Sequence, residues 1–208
     1  MFINYEPFLI IISSPSGAGK STLCRMIIQN DPLIKLSISV TTRQKRPQEI
    51  EGQHYHFIDK NRFEKMMQEN QLLEHAEVFG NQYGTPKKLV DDELRNGSCV
   101  LFDIDWQGAR QIKQSFDRDA VVSIFVLPPS LQELERRLRG RAQDQEIIVQ
   151  NRMKKARDEI SHFSEYDFIL INDDLNNTYN KLRSIIESKR SSRISKADLQ
   201  KFVSQNLS

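Results

Sequence analysis

The residues with the clearest chemical pattern lie near the amino terminus, between an apolar run and a helical stretch. They are Ser14, Pro15, Ser16, Gly17, Ala18, Gly19, Lys20 and Ser21. Gly17 and Gly19 let the backbone turn its N–H groups toward an anion, and the dipole of the following helix favours negative charge. Lys20 supplies a point charge for nucleotide phosphates, and the Ser21 hydroxyl is a ligand type for Mg²⁺. The pattern predicts a phosphate-binding loop, with Ser14 where the usual pattern has its first glycine.

A second group of candidate phosphate ligands follows in a basic, proline-terminated segment. Arg43 and Arg46 are three residues apart, and Tyr55 lies a short distance further along the chain. Two guanidinium groups at this spacing can fork onto one phosphate, and the tyrosine hydroxyl is a further donor. A solvated basic loop explains the same residues equally well, so both interpretations stay open at this point.

Glu74 is a carboxylate bounded by apolar residues, and Tyr83 and Thr85 follow it. An ionised carboxylate can accept two adjacent N–H groups, and guanine presents such a pair at N1 and N2 whereas adenine does not. A surface strand with alternating charges also accounts for this segment. The residues alone favour the surface strand.

Two aspartates end a strongly apolar run. Asp103 and Asp105 are two residues apart, so in an extended strand both point to the same side. Parallel sheets bind ligands at the carboxyl edge of their strands, where a carboxylate can hold Mg²⁺, its waters or a substrate donor. Asp105 can also cap the helix that follows, which is compatible with a site role.

An arginine-rich stretch lies in the second half of the chain. Arg137, Arg141 and Arg152 are candidates to meet the charge that phosphoryl transfer spreads over the equatorial oxygens, once a mobile lid closes. A basic helical surface is the competing interpretation and describes some of the neighbouring arginines.

Alternating apolar and helical segments predict the framework that positions these residues. Apolar runs that suit buried strands are residues 8–12, 36–40, 98–104, 121–127 and 166–172. Helical patterns are residues 20–30, 107–115, 130–139, 146–161 and 177–189. The alternation predicts an α/β protein with a mostly parallel sheet. Residues 41–97 are interpreted as an inserted α+β lobe, residues 137–157 as a polar helical hairpin held away from the core, and residues from 191 as a polar tail.

Composition restricts the classes of protein that fit. A chain of 208 residues suits one α/β core with small insertions. The net charge of +2 gives no general bias toward nucleic acid. Cys24 and Cys99 lie apart in apolar stretches, which predicts buried free thiols in a reducing compartment. The apolar run at the amino terminus is too short to span a bilayer, so we expect a cytoplasmic protein with no membrane association.

In chain order, these segments resemble the guanylate kinase family from Phe8 to about Ile186. The matching segments are Ser16 to Ser21, Ser39 to Pro47, Gly52 to Phe57, Glu74 with Gly80 to Thr85, and Asp103 to Gly108. The resemblance implies a P-loop NTPase-type parallel sheet core (1–40, 98–136 and 158–190), with an inserted GMP-binding lobe (41–97), a helical lid (137–157) and a polar tail (191–208). It implies transfer of the γ-phosphoryl group of ATP to GMP, and to dGMP, which recycles GMP and supplies guanine nucleotides.

The resemblance also implies a role for each candidate residue. The GMP phosphate would be held by Arg43, Arg46, Tyr55 and Tyr83. The guanine would be read by Ser39, Glu74 and Thr85, with Asp103 and Asp105 near the ring and the metal waters. The transferring phosphoryl group would be clamped by Lys20, Arg137, Arg141 and Arg152. ATP would lie on Ser14 to Ser21 with Asn172 near the adenine, and Mg²⁺ would be held by Ser21 with Asp103 or Asp105 through water.

The chain departs from the family pattern at two places, and other classes of protein compete with the guanylate kinase interpretation. Ser14 replaces a glycine, and the lid reads Ala142, Gln143 and Asp144 after Arg141, which affects its fine contacts. A catalytically silent protein-binding module of the same fold would not need Lys20 or the lid arginines. A sister kinase for a ribose bisphosphate would not need a set of side chains that reads a purine edge. We expect a monomer or weak homodimer that binds ATP and GMP.

Overall fold

The computed structural model describes residues 5–78, 80–141 and 146–207, except for the side chains of residue 141 and residues 146–148. The strands are β1 (Leu9–Ser13), β2 (Ile34–Leu36), β3 (Val40–Thr41), β4 (His56–Phe57), β5 (Leu72–Val78), β6 (Asn81–Pro86), β7 (Cys99–Asp103), β8 (Val121–Leu127) and β9 (Phe168–Ile171). The helices are α1 (Lys20–Asn30), α2 (Lys60–Gln68), α3 (Lys87–Arg95), α4 (Trp106–Ser115), α5 (Leu131–Arg141), α6 (Glu146–Ser161), α7 (Leu175–Ser192) and α8 (Lys196–Asn206).

The core is a five-stranded sheet in the order β2-β7-β1-β8-β9, with every neighbouring pair parallel. Its central strand β1 is buried along its whole length, which explains the uninterrupted apolar run in the sequence. Helices α1 and α7 pack on one face of the sheet, while α3 and α4 pack on the other. The predicted α/β class with a parallel sheet is therefore confirmed.

A second, mixed sheet in the order β4-β3-β6-β5 belongs to the segment between β2 and β7. Helix α2 covers it and buries Phe63 against Val40 and Leu72. Strand β5 also contacts helix α4 of the core. The edge of the second sheet therefore lies beside the helix that follows the aspartates of β7.

The predicted strand over residues 36–40 is wrong. The chain pairs with β7 as far as Leu36, the Ser37 N–H still donates to the Leu101 carbonyl, and the strand ends there. The chain then begins the second sheet at Val40, which pairs with Gly84 of β6. The alternating apolar residues that suggested one strand are thus divided between two sheets.

The segment from residue 191, expected to be a polar tail, is helical: α7 continues to Ser192 and Ser195 caps α8. One further expectation differs from the structure. The hairpin of α5 and α6 is not held away from the core along its inner face. Leu134 and Leu138 of α5 are buried beside Gly17 of the phosphate loop. Apolar residues spaced one turn apart fix this contact despite the polar composition of the helices.

The two cysteines are buried and free, as predicted. Cys24 lies on α1 and Cys99 on β7, both beside the apolar core. Within the described part of the chain, none of the helices has the length and apolar character needed to cross a membrane.

Candidate active site

The predicted phosphate loop connects β1 to α1 at the carboxyl edge of the central strand. Gly17 and Gly19 have φ angles of 95° and 102°, a backbone conformation that residues with a side chain rarely adopt. Ser14 is not among the described residues with positive φ, so its place in the pattern needs no glycine. Its hydroxyl donates to the Pro15 carbonyl at 3.1 Å. The loop geometry thus accommodates the departure at Ser14.

Lys20 and Ser21 converge on Asp103 at the end of β7. Lys20 Nζ lies 2.6 Å from Asp103 Oδ1 and donates to the Ile104 carbonyl at 3.1 Å. The Ser21 hydroxyl donates to Asp103 Oδ2 at 3.0 Å. Burial lowers the pKa of Lys20, but the adjacent Asp103 carboxylate outweighs this and holds that pKa above its usual range. Lys20 is therefore a fixed positive charge at the mouth of the loop.

The oxygens of Ser21 and Asp103 form a donor set that suits Mg²⁺, which prefers hydroxyl and carboxylate oxygens. Among the described residues, no group of three or more His, Cys, Asp or Glu side chains could hold a metal ion. Mg²⁺ in nucleotide sites keeps several waters and binds substrate phosphates, so it needs few protein ligands. The residues present fit that mode of binding.

Asn172, at the carboxyl end of β9, is hydrogen-bonded to the phosphate loop. Its side-chain amide donates to the Ala18 carbonyl at 2.7 Å, and Arg137 Nη2 donates to the Asn172 backbone carbonyl at 3.2 Å. A Cβ on Gly19 would lie 2.3 Å from Asn172 Nδ2. Gly19 is therefore required both by its backbone angle and by this close approach. Contact between Asn172 and adenine stays a prediction.

Glu159 of α6 is a site residue that the sequence reasoning missed. Its Oε2 accepts the Ser16 backbone N–H at 3.1 Å, and only 9% of the residue is exposed. Burial raises the pKa of its carboxyl. The sequence feature that could have identified this glutamate is its spacing of three residues from Ala156, which places it on the buried face of the helix. This carboxylate ties the second helix of the hairpin to the phosphate loop.

The predicted arginine and tyrosine group lies at the rim of the second sheet. Arg43 Nε donates to the Tyr83 hydroxyl at 3.2 Å, and its guanidinium lies 5.4 Å from the centre of the Tyr55 ring. Its Nη2 donates to Glu49 at 2.7 Å, and the same carboxylate accepts the Arg46 backbone N–H. The hydrogen bond from Arg43, together with that from the Arg46 N–H, lowers the pKa of Glu49. Sequence reasoning missed Glu49, which orients this phosphate-binding candidate.

Glu74 on β5 is the most buried carboxylate of the candidate set, with 3% exposure. Its Oε1 accepts the hydroxyl hydrogen of Thr85 at 2.7 Å across the β5–β6 pair. Burial raises the pKa of Glu74 to about 7, and the nearby Asp105 contributes in the same direction. The surface-strand interpretation of this residue is wrong, because the side chain points into the molecule.

Asp105 caps the amino terminus of α4. Its Oδ1 accepts the backbone N–H groups of Gln107 and Gly108 at 3.0 and 3.1 Å. The predicted helix cap is thus present. Because the carboxylate also lines the central cavity, a metal or substrate role for Asp105 stays a prediction.

A cavity of about 310 Å³ joins these elements. The predicted site residues that line it are Ser14, Pro15, Ser16, Gly17, Gly19, Lys20, Ser21, Ser39, Arg46, Tyr55, Glu74, Tyr83, Asp103 and Asp105. The lining also includes Glu159. The phosphate loop and the buried Glu74 therefore share one chamber between the two sheets.

Other predicted residues are not among the cavity lining. They are Ala18, Arg43, Thr85, Arg137, Arg152 and Asn172. Arg137 on α5 is held by Glu133 at 2.8 Å, and Arg152 is half-buried on α6. The side chain of Arg141 lies outside what the structure describes, as do residues 142–145.

Comparisons with known proteins agree on one family. The family model described as "Guanylate kinase" matches residues 7–189. The guanylate kinase of Paramagnetospirillum magneticum is 50% identical over 98% of this chain and 94% of its own length. That of Zymomonas mobilis is 53% identical over 88% of this chain and 84% of its own. The crystal structure of guanylate kinase from Anaplasma phagocytophilum has a TM-score of 0.77 at 33% identity, over 99% and 97% of the two chains.

Proposed function

This chain belongs to the guanylate kinase family and is an ATP:GMP phosphotransferase, and on that premise we propose how its residues divide the work. ATP occupies the end of the cavity formed by the phosphate loop. GMP, or dGMP, occupies the end formed by the second sheet. The γ-phosphoryl group passes between them.

The observation that carries this proposal is the shared cavity, with the phosphate loop at one end and the buried Glu74 at the other. A phosphate-binding loop alone fits many nucleotide-dependent proteins. A buried carboxylate in the same chamber supplies two acceptor oxygens for a purine that offers two neighbouring donors, and guanine is that purine. None of the observations favours a silent binding module or a ribose-bisphosphate kinase.

The phosphate of GMP binds to Arg43, Arg46, Tyr55 and Tyr83. Arg43 is already oriented by Glu49 and Tyr83, so little side-chain freedom is lost when the phosphate arrives. The attacking oxygen belongs to a phosphate that is ionised at neutral pH. The reaction thus needs positioning and charge neutralisation rather than a general base. Ser39, Glu74 and Thr85 read the base.

The phosphates of ATP bind to the backbone of the phosphate loop and to Lys20. Ser21 and Asp103 would hold Mg²⁺, with Asp105 reaching it through water. When bound, the metal would supply positive charge that offsets the negative charge of the nucleotide phosphates. Arg137, Arg141 and Arg152 meet the transferring group when α5 and α6 close over it.

Further properties complete the proposal. The protein works as a monomer or weak homodimer in the cytoplasm, with small-molecule substrates and no nucleic acid partner. The net charge of +2 supports only the absence of a nucleic acid partner, because a nucleic-acid surface calls for a stronger basic excess.

The test is the choice of phosphoryl acceptor. ATP consumption should be rapid with GMP and lower for AMP, CMP and UMP, with kcat/KM for AMP reduced on the order of 10⁴-fold. Glu74→Gln places a donor NH₂ against the guanine N–H groups and should lower kcat/KM for GMP about 100-fold. IMP has N1–H but no N2 amino group, so it should be a poor substrate that loses less on this substitution.

Controls separate base reading from general damage. Lys20→Ala should abolish turnover with every acceptor while the protein stays folded, because the phosphate loop serves all of them. Equal losses for GMP and IMP in Glu74→Gln would contradict a role of Glu74 in reading the N2 edge. Comparable turnover of AMP and GMP by the wild-type protein would refute the proposal as a whole.

A further inference from the structure

Gly108 lies at a position where a side chain would collide with a neighbouring residue. It lies in the first turn of α4 and does not have the positive φ that favours glycine. Glycine is less favourable than alanine in a helix, so its presence calls for another reason. A Cβ at this position would lie 2.5 Å from Glu74 Oε2, 3.1 Å from Glu74 Cδ and 3.3 Å from Ile104 Cδ1. Gly108 thus leaves room for the Glu74 carboxylate.

Gln111, one turn further along α4, holds the strand that carries Glu74. Its Nε2 donates to the His75 carbonyl at 2.7 Å, and its Oε1 accepts the His75 N–H at 3.1 Å. Strand β5 is the outer strand of its sheet, so this amide satisfies two groups that no neighbouring strand reaches. Gln111 therefore fixes the backbone immediately after Glu74.

These contacts act on the two ends of one residue. Gln111 holds the backbone beside Glu74, Thr85 holds its Oε1, and Gly108 leaves the space in which its Oε2 lies. A carboxylate that reads two donors must present both oxygens together, and a displacement of about 1 Å weakens both contacts. Residues of helix α4 thus set where the Glu74 carboxylate lies relative to the bound base.

We propose that Gly108 and Gln111 are positioning residues for guanine selectivity, acting through the Glu74 carboxylate. This inference rests on the proposed role of Glu74 as the reader of guanine. Neither residue needs to touch the substrate. Their substitution should therefore impair recognition of the N2 edge more than it impairs phosphate binding or phosphoryl transfer.

The test measures kcat/KM for GMP and for IMP in Gly108→Ala and Gln111→Ala. The added methyl group of Gly108→Ala pushes the carboxylate away, while Gln111→Ala releases the strand. In each variant we expect the GMP to IMP ratio of kcat/KM to fall at least about 10-fold. KM for ATP should stay near its wild-type value. Gln114→Ala is the matched control, because Gln114 is exposed on the same helix three residues later.

A double-substitution cycle shows whether Gly108 acts through Glu74. In the Glu74→Gln background the reading carboxylate is already lost, so Gly108→Ala should lower the GMP to IMP ratio no further. Thermal unfolding of each variant gives the structural readout. The preference of alanine for the helix offsets part of the cost of crowding the buried carboxylate, so Gly108→Ala should stay folded with only a modest fall in unfolding temperature while its selectivity falls.

The outcomes distinguish the two proposals. If Glu74→Gln lowers the GMP to IMP ratio but Gly108→Ala and Gln111→Ala lose activity equally with both substrates, the positioning role is refuted and the role of Glu74 stands. If Glu74→Gln leaves the ratio unchanged, Glu74 does not read the N2 edge and both proposals fall. A loss of selectivity in Gln114→Ala would also overturn the assignment to Gln111.

Discussion

At the scale of single residues, the site depends on charges that the fold keeps out of water. Glu74 is nearly inaccessible, and burial raises the pKa of its carboxyl from 4.5 to about 7. The folded state therefore binds the proton more tightly than the unfolded chain does. The contribution of this group to the free energy of unfolding is fully present below about pH 4.5 and is lost as the pH rises through about 7. Stability and the proposed reading of guanine thus favour opposite protonation states of Glu74.

The predicted consequence is a rise in kcat/KM for GMP as the pH increases through about 7. Only the ionised carboxylate accepts both guanine donors, and kcat/KM reports the protonation state of the free enzyme. Steady-state kinetics between about pH 5.5 and 8.5 would measure this. Glu74→Gln keeps the ionisation of the substrate phosphate but lacks the carboxyl, so its profile should lose this rise. A wild-type profile that matches the variant would contradict the prediction.

At the scale of elements, helix α5 of the proposed lid is linked to the phosphate loop in two ways. Leu134 and Leu138 pack against Gly17, and Arg137 is held between Glu133 and the carbonyl of Asn172. The adjacent Arg136 pairs with the same Glu133 but points into solvent. Hydrogen bonds from Arg136 and Arg137 lower the pKa of Glu133 to about 2, so it stays ionised. In the closure that we propose, Arg137 would exchange the Glu133 carboxylate for the transferring phosphoryl group.

We expect Arg137→Ala and Arg152→Ala to lower kcat much more than they raise KM for ATP. Their proposed contacts belong to the closed, transition-state form, and loss of an arginine in such a role lowers kcat by roughly 10³-fold. Arg136→Ala removes a neighbouring guanidinium from the same helix and should keep kcat near the wild-type value. Normal kcat in both lid variants, with only a raised KM for ATP, would disprove their lid role.

Much of the framework could be predicted from the sequence, because buried parallel strands have apolar runs that are easy to recognise. The predicted helices over residues 20–30 and 146–161 coincide with α1 and α6. The break at Ser37 to Ser39 could not be predicted, since a local pattern does not say which sheet a strand joins. Glu159 was missed because its partner, the Ser16 N–H, is brought near only by the tertiary structure. Glu49 lies six residues from its partner Arg43, but their contact depends on a loop conformation that the residue types do not specify.

At the scale of the whole molecule, the cavity is bordered by three groups of elements that meet around it. The core contributes the phosphate loop and the end of β7, the second sheet contributes Glu74 and Tyr83, and α6 contributes Glu159. The groups are joined by polar contacts such as that between Glu159 and Ser16, and by apolar contacts such as that of Leu138 with Gly17. A ligand that contacts several groups at once should therefore draw them together.

We predict that GMP and a non-hydrolysable ATP analogue together reduce the radius of gyration. The substrates bridge the second sheet, the core and the α5–α6 hairpin, and closure excludes water from the transferring group. Small-angle X-ray scattering with neither ligand, each ligand alone and both would measure the change. AMP in place of GMP is the control and should give a smaller contraction. Identical scattering in all conditions would contradict closure.

The clamp between Asn172 and the phosphate loop has a consequence for biosynthesis. The amide of Asn172 and the Ala18 carbonyl that it holds are 154 positions apart in the chain, and the Ser16–Glu159 contact spans 143. Synthesis proceeds from the amino terminus, so the loop is made early but acquires the support of Glu159 only with α6 and that of Asn172 only after β9. Nucleotide binding stabilises only conformations that can bind, by mass action. Substrate should therefore protect the finished protein from proteolysis and leave nascent chains that end before Asn172 unprotected.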